Sequence, residues 1–353
     1  MNNPTTCEYS NIISQFFSLV RTKDIDWGGF EAEPQSQRRL FHEIFDHHLM
    51  LKYPPPLDYQ LSFLKQWMKL VEDSNQELIE EIYELYTSLI SKGLNDDDRN
   101  YCYKSYYLGE GDVFVTLKES RHIVSGGTTG LCTWQASMEL AEWIAAEQKE
   151  AFNNKHILEL GSGIGFLGLS VLKLTSPLSY TFTDCNVDVL KLLKNNVDIN
   201  NIPGVPPIDT FTVVVKFKQK TNQCSCLFVV CYTFLMAGNQ IVSTHLDWNS
   251  CEQLDFPPVD IVLASDVIYD TELIDPFINV LEKLLRPVSP ARVPPVAYVA
   301  STIRNEDTYS QFLQKIDGSS LLYKEVKNEL AKRIFYYDRR LIVSILEITY
   351  NNN

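Results

Sequence analysis

The run His156-Ile-Leu-Glu-Leu-Gly-Ser-Gly-Ile-Gly-Phe-Leu-Gly168 limits what this chain can fold into more than any other stretch. Its first residues are a short apolar strand. The glycines that follow make a sharp turn, and Phe166 opens a helix. Glycines at 161, 163 and 165 accept positive φ without steric cost and let backbone approach a ligand closely. A strand-to-helix glycine turn of this kind is where doubly wound α/β folds hold nucleotide-like cofactors.

Two readings of the turn compete, beside the plain one of a tight βα connection. Gly163-Ile-Gly-Phe-Leu-Gly168 satisfies the dinucleotide pattern G-x-G-x-x-G, with a pyrophosphate on the helix N-terminus. That reading makes the chain a nicotinamide-dependent oxidoreductase. Glu159-Leu-Gly-Ser-Gly-Ile-Gly165 gives instead E-x-G-x-G-x-G. A carboxylate ahead of the turn repels a pyrophosphate but suits a cationic or zwitterionic ligand such as S-adenosyl-L-methionine, with its sulfonium and amino-acid end.

Charge and composition narrow the class. A net charge of −14 argues against general affinity for nucleic acid or an anionic membrane. The first ten residues have neither the basic start nor the apolar core of a signal peptide, and the apolar segment Leu227 to Gly238 is too short to span a bilayer. The 8 cysteines include no C-x-x-C pair and read as reduced thiols, so the expected compartment is the cytoplasm. Cys224, Cys226 and Cys231 lack the partners of a zinc site, and His42, His47 and His48 read as surface histidines; no metal is expected.

Residues 1–98 read as a helical N-terminal domain. Apolar residues recur at helical spacing over Ile12–Val20, Leu61–Val71 and Leu78–Ile90, interrupted by Pro54-Pro-Pro56 and closed by Gly93 and Asn95-Asp-Asp-Asp98. Residues 99–353 read as a second domain. Its first part is a pair of strands, 112–117 and 121–124, then an amphipathic helix, 134–146. Strands then alternate with helices: 156–160 with 166–174, 179–183 with 187–199, 259–264 with 271–285, and 296–302 with a helix near 307–315. Such alternation predicts a mostly parallel sheet covered on both faces. Strands near 320–326 and 341–348 have no full helix between them and predict a terminal antiparallel hairpin.

Ligands in this fold sit outside the carboxyl ends of the strands, so the residues there carry the chemistry. The first such strand ends at Glu159 and Gly161. The second ends at Thr183-Asp184-Cys185, a carboxylate 25 residues past Glu159 and placed to accept ribose hydroxyls. A third, 241–246, runs into Asp247-Trp248, an acid for an adenine amino group and an indole to pack beside the ring. The fourth ends at Ser265-Asp266-Val-Ile-Tyr269, a carboxylate and a phenol beside the reacting centre. Each has a duller alternative: a helix cap for Asp184, core for Trp248, a turn for Asp266.

This set resembles the class I S-adenosylmethionine-dependent methyltransferases, and within them the seven-β-strand protein-lysine methyltransferases that share a D-x-x-Y motif, here Asp266-Val-Ile-Tyr269. It is most similar to the elongation factor 2 lysine methyltransferases, through Gly126-Gly-Thr-Thr-Gly-Leu-Cys-Thr-Trp134, Ile157–Gly163, Thr183-Asp-Cys185, Leu246-Asp-Trp248 and Thr302-Ile-Arg-Asn305. The resemblance implies an α/β, Rossmann-like seven-stranded sheet behind a small helical N-terminal domain. It also implies S-adenosyl-L-methionine as cofactor and a lysine of elongation factor 2 as substrate, with neither nucleic acid nor membrane as partner. Trp134, Glu159, Gly161, Gly163, Gly165, Asp184, Asp247, Trp248 and Ser265 are then expected at the cofactor, Asp266 and Tyr269 at the acceptor amine, and Arg304 and Asn305 at substrate or surface. The chain departs from the family pattern at about 215–240. Roughly twenty residues there look extra, and Gln223–Met236 is apolar and β-prone. An added hairpin, a partner surface and translated intron are all compatible with it.

Overall fold

The computed structural model describes residues 9–92, 100–124, 127–202, 231–235, 240–249, 256, 258–287, 292–326 and 334–351. The chain divides into two compact units, Met1–Ser125 with Ile334–Tyr336, and Gly126–Arg333 with Tyr337–Asn353. The division falls at 125/126 rather than the expected 98/99.

The first unit holds helices α1 (Ser10–Phe17), α2 (Pro34–Phe45), α3 (His48–Lys52), α4 (Leu57–Asp73) and α5 (Glu80–Ser91). Their apolar stripes meet in a core of Phe16, Phe17, Leu40, Ile44, Phe63, Leu64, Trp67 and Ile82. Pro54–Pro56 forms the extended connector expected of it, since proline's missing N–H is harmless just ahead of a helix. Gly93 and Asn95–Asp98 lie outside the described residues. The predicted pairing of 112–117 with 121–124 is corrected: β1 (Tyr101–Tyr107) pairs antiparallel with β2 (Phe114–Ser120). Cross-strand partners decide that register. Ser105 Oγ lies 2.8 Å from Thr116 Oγ1, and the buried Glu119 accepts from Lys104 Nζ at 3.3 Å and from the Tyr106 hydroxyl at 2.7 Å.

The second unit opens with α6 (Gln135–Trp143), drawn out by a π-turn at Ile144–Gln148. Then follow β3 (His156–Leu160), α7 (Phe166–Leu174), β4 (Ser179–Asp184), α8 (Val187–Asn200), β5 (Cys231–Leu235), β6 (Gln240–His245), β7 (Ile261–Ser265), α9 (Ile274–Leu285), β8 (Val296–Thr302), α10 (Glu306–Asp317), β9 (Leu321–Glu325) and β10 (Val343–Tyr350). One sheet orders them β5-β6-β4-β3-β7-β8-β10-β9. Strands β6, β4, β3, β7 and β8 run parallel, and β10 is antiparallel to both β8 and β9, as the missing crossover helix predicted. Strand β5 is an antiparallel edge beside β6 and falls within the apolar segment read as extra; residues 203–230 and 236–239 lie outside the described residues.

This topology places the site. The chain leaves β3 for β4 on one side and returns to β7 on the other, so the carboxyl ends of β4, β3 and β7 bracket the switch point. Close helix–sheet contact fixes the geometry. A Cβ at Gly168 in α7 would sit 2.2 Å from Phe182 and 2.6 Å from Tyr180, so glycine alone lets α7 lie on β4.

Candidate active site

The turn after β3 needs its glycines. Gly161, Gly163 and Gly165 have φ of 67°, 52° and 95°, where a side chain is strained. Space excludes one as well: a Cβ at Gly161 would meet Val267 Cγ1 at 2.7 Å, and at Gly165 Leu193 Cδ1 at 2.3 Å. A reciprocal pair of hydrogen bonds then fastens the turn to β4. Ser162 N–H donates to Thr183 O at 2.8 Å, and Thr183 N–H to Ser162 Oγ at 2.9 Å.

Asp184 ends β4 with its carboxylate on that turn. Its Oδ2 accepts from Gly163 N–H at 3.1 Å and its Oδ1 from Asn186 N–H at 2.9 Å. Asn186, not Asp184, caps α8, accepting from the amides of Asp188 and Val189. The Gly163 amide of the dinucleotide pattern thus already serves an anion of the protein itself, and a second anion there meets repulsion. Next along the crevice, Leu246 N–H donates to Asp184 O at 3.0 Å, which sets Asp247 and Trp248 beside the turn. Asp247 is half-buried and accepts from Asn249 N–H at 3.0 Å. The half-buried Trp248 packs on Phe277 at 5.1 Å between ring centroids and reaches over Gly161.

Trp134 enters from the segment before α6. Its Nε1–H donates to Thr129 O at 2.9 Å, and the Gly130 carbonyl of the same loop lies against Gly163. That loop therefore borders the turn.

Glu159, expected at the cofactor, is buried within the sheet. It is 1% exposed and lies on the helix-covered face of the sheet with Phe182. The Tyr180 hydroxyl donates to its Oε2 at 2.8 Å. Burial pushes its carboxyl up to about 8, against the opposing hydrogen bonds of Tyr180, Ser162 and the Gly168 amide. Burial thus favours its protonated form, held by Tyr180 beneath the turn.

Asp266, just past the half-buried Ser265 that ends β7, adopts φ of 54°, a strained conformation for a residue with a side chain. Five donors hold it. Thr302 N–H (2.8 Å) and Arg304 Nη1 (3.2 Å) reach Oδ1; Thr302 Oγ1 (3.0 Å), Arg304 Nη2 (3.2 Å) and Ala136 N–H (3.3 Å) reach Oδ2. The carboxylate joins the ends of β7 and β8 to the first turn of α6. Arg304 also stacks over Trp134, its guanidinium carbon 4.8 Å from the ring centroid. Tyr269 points elsewhere. It is 63% exposed, and after burial the largest influence raising its phenol pKa is Cys185, followed by Asp184 and Asp270. Asp266 is thus tied to β8 and α6, whereas Tyr269 is exposed and nearer the end of β4.

Tyr180 and the Ala136 amide escaped the sequence reading, and Thr302 and Ser162 were quoted within motifs but given no role. Their contacts run between strands remote in the chain, and only the G-x-G and D-x-x-Y spacings were local. Asn305, expected at substrate or surface, caps α10 by accepting from Asp307 and Thr308 amides. In the first unit, ligand atoms of His47, His48 and Asp112 lie within 4.8 Å of one another. His47 Nδ1 accepts from Leu49 N–H at 3.2 Å, which puts the neutral ring's proton on Nε2, the nitrogen facing Asp112.

A sequence model described as lysine methyltransferase matches residues 117–210 and 232–319. The chain belongs to this family. It is 34% identical over 312 residues to the protein-lysine N-methyltransferase EEF2KMT of Bos taurus, covering 88% of this chain and 85% of the relative. To the human EEF2KMT it is 31% identical, over 95% and 94% of the two chains. Among solved structures, the 16S rRNA methyltransferase RsmC of T. thermophilus aligns over 72% of this chain and 51% of its own at 12% identity, with a TM-score of 0.40. The chain is a protein-lysine N-methyltransferase, and its methyl donor is S-adenosylmethionine. The oxidoreductase reading falls. The stretch between the two matched parts, 211–231, overlaps the segment read as extra at about 215–240, whose end lies within the match. Among the described residues no helix is long and apolar enough to cross a membrane.

Proposed function

We propose that this enzyme methylates a lysine of elongation factor 2. The observation that carries the reading is the likeness to EEF2KMT, which runs through 95% of the chain and so includes the N-terminal helices as well as the sheet.

The cofactor supplies an activated methyl group on a sulfonium. In this reading Gly161, Gly163 and Gly165 bring backbone close to it. Asp184 and Asp247 offer carboxylates to its hydroxyl and amino groups, Trp248 and Trp134 border it, and Ser265 lies at the neighbouring strand end. Glu159 acts through the turn it supports. Transfer forms an N–C bond as the C–S bond breaks, so the lysine must first lose its proton to solvent. At pH 7 that costs about 4.6 kcal/mol for a lysine of pKa about 10.4, unless the site lowers the pKa. Alignment of the amine is then the protein's main contribution. In this reading Asp266 and Tyr269, the two ends of the D-x-x-Y motif, orient it.

The test is incubation of purified elongation factor 2 with isotopically labelled methyl donor and the enzyme, followed by mass-spectrometric mapping. One modified lysine supports the proposal. Label on other proteins of a lysate but never on elongation factor 2 would refute it.

A further inference from the structure

The acid at the end of β7 poses a problem for any lysine methyltransferase. A bare carboxylate beside the acceptor holds lysine as ammonium, which has no lone pair to attack a methyl group. Here the carboxylate is not bare. Both its oxygens are gripped by the Arg304 fork at 3.2 Å, and its side chain is 4% exposed against 39% for the arginine. The carboxylate is also faced by the hydroxyl and amide of Thr302 from β8 and by the Ala136 amide at the start of α6, all neutral donors, while the guanidinium itself meets Asp266 and the Trp134 ring. Asp266 is the one acid paired with it among the described residues.

We infer that Arg304 is a positioning residue that neutralises Asp266, so that the acceptor site receives lysine as the free amine. The inference rests on the proposed placement of Asp266 beside that amine. Without the guanidinium, the carboxylate raises the pKa of the bound lysine, and turnover needs a higher pH. Stacking on Trp134 holds the guanidinium in place, and its charge is what the pH limb reads.

The experiment is the pH dependence of kcat/KM for wild type, Arg304→Met, Arg304→Lys, Asp266→Asn and the double variant Asp266→Asn with Arg304→Met, on a lysine-containing protein substrate. Melting temperature and S-adenosylhomocysteine binding report on the fold. In Arg304→Met the acidic limb should move up by about one pH unit, lowering activity roughly tenfold near pH 7 with recovery at high pH. Arg304→Lys should keep the limb near that of wild type. The double variant has no uncompensated charge, so its limb should return as well. It also covers the case in which Arg304→Met fails to fold. An equal loss at every pH with an unmoved limb overturns the inference. Full activity in Asp266→Asn would instead overturn the placement of Asp266 at the acceptor.

Discussion

Two neighbouring strands of the sheet each deliver an acid to the catalytic edge, and they keep it in opposite ways. At the end of β3, Glu159 is buried with a tyrosine hydroxyl, a serine hydroxyl and a backbone amide, and burial pushes its carboxyl up to about 8. At the end of β7, Asp266 is buried with a bidentate arginine and three further donors. The first acid avoids the cost of a buried charge by keeping its proton. The second keeps its charge and acquires a counterion. An acid in a strand-end motif therefore says nothing by itself about which ionic state it contributes. Its partners decide, and they come from other strands.

The contrast breaks most severely at the turn itself. Gly165→Ala would place a Cβ 2.3 Å from Leu193 on a backbone at φ of 95°, both at once. A loss of about 3 kcal/mol or more in stability is expected from strain plus overpacking, read by chemical denaturation. Retention of wild-type stability would mean that the turn relaxes freely. Asp266→Ala comes next. It strands the Thr302 and Ala136 amides and the half-exposed Arg304, with an expected loss of about 2 kcal/mol and of nearly all methyl transfer. A denaturation curve unchanged from wild type would show that the β7–β8 tie is dispensable.

Glu159→Gln separates the two acids by pH. The folded pKa lies above the ordinary carboxyl value of 4.5, so the unfolded chain binds fewer protons and wild-type stability falls as pH rises through about 8. The glutamine variant lacks that term. It should differ least from wild type below about pH 4.5, gain on it as pH rises from there to about 8, and hold a level advantage above that. A constant difference across that range would show that Glu159 does not titrate on unfolding. Asn305→Ala should have the smallest effect, about 1 kcal/mol from a lost α10 cap, with methyl transfer unchanged. A large loss of activity would instead put Asn305, beside Arg304, in the acceptor site.

The periodic parts of the fold were legible because each strand and helix carries its own pattern. The alternation from His156 to Asp317 and the terminal antiparallel strands needed no long-range information. The hairpin of the first unit was misread. Tyr101–Tyr107 lacks a clean alternation, and its pairing depends on Lys104, Ser105 and Tyr106 meeting partners more than ten residues away. At the site, Asp184 ends β4 and accepts from the Gly163 amide of the turn. The burial of Glu159 was hidden because strand parity, not motif position, selects its face, and that face is fixed by register with Phe182. Arg304 was visible as a residue but not as a partner of Asp266, since 38 positions separate them.

The proposed reaction divides labour between these two strand-end regions, cofactor at β3–β4 and acceptor amine at β7–β8. The most direct test measures S-adenosylhomocysteine affinity and single-turnover methyl transfer side by side in Asp184→Ala and Asp266→Asn. Asp184→Ala should weaken cofactor binding by about tenfold or more, the worth of a charge-assisted hydrogen bond. Asp266→Asn should bind the cofactor within about twofold of wild type yet transfer methyl at least about a hundredfold more slowly. Unchanged affinity in Asp184→Ala, or a parallel loss of affinity and transfer in Asp266→Asn, would contradict it.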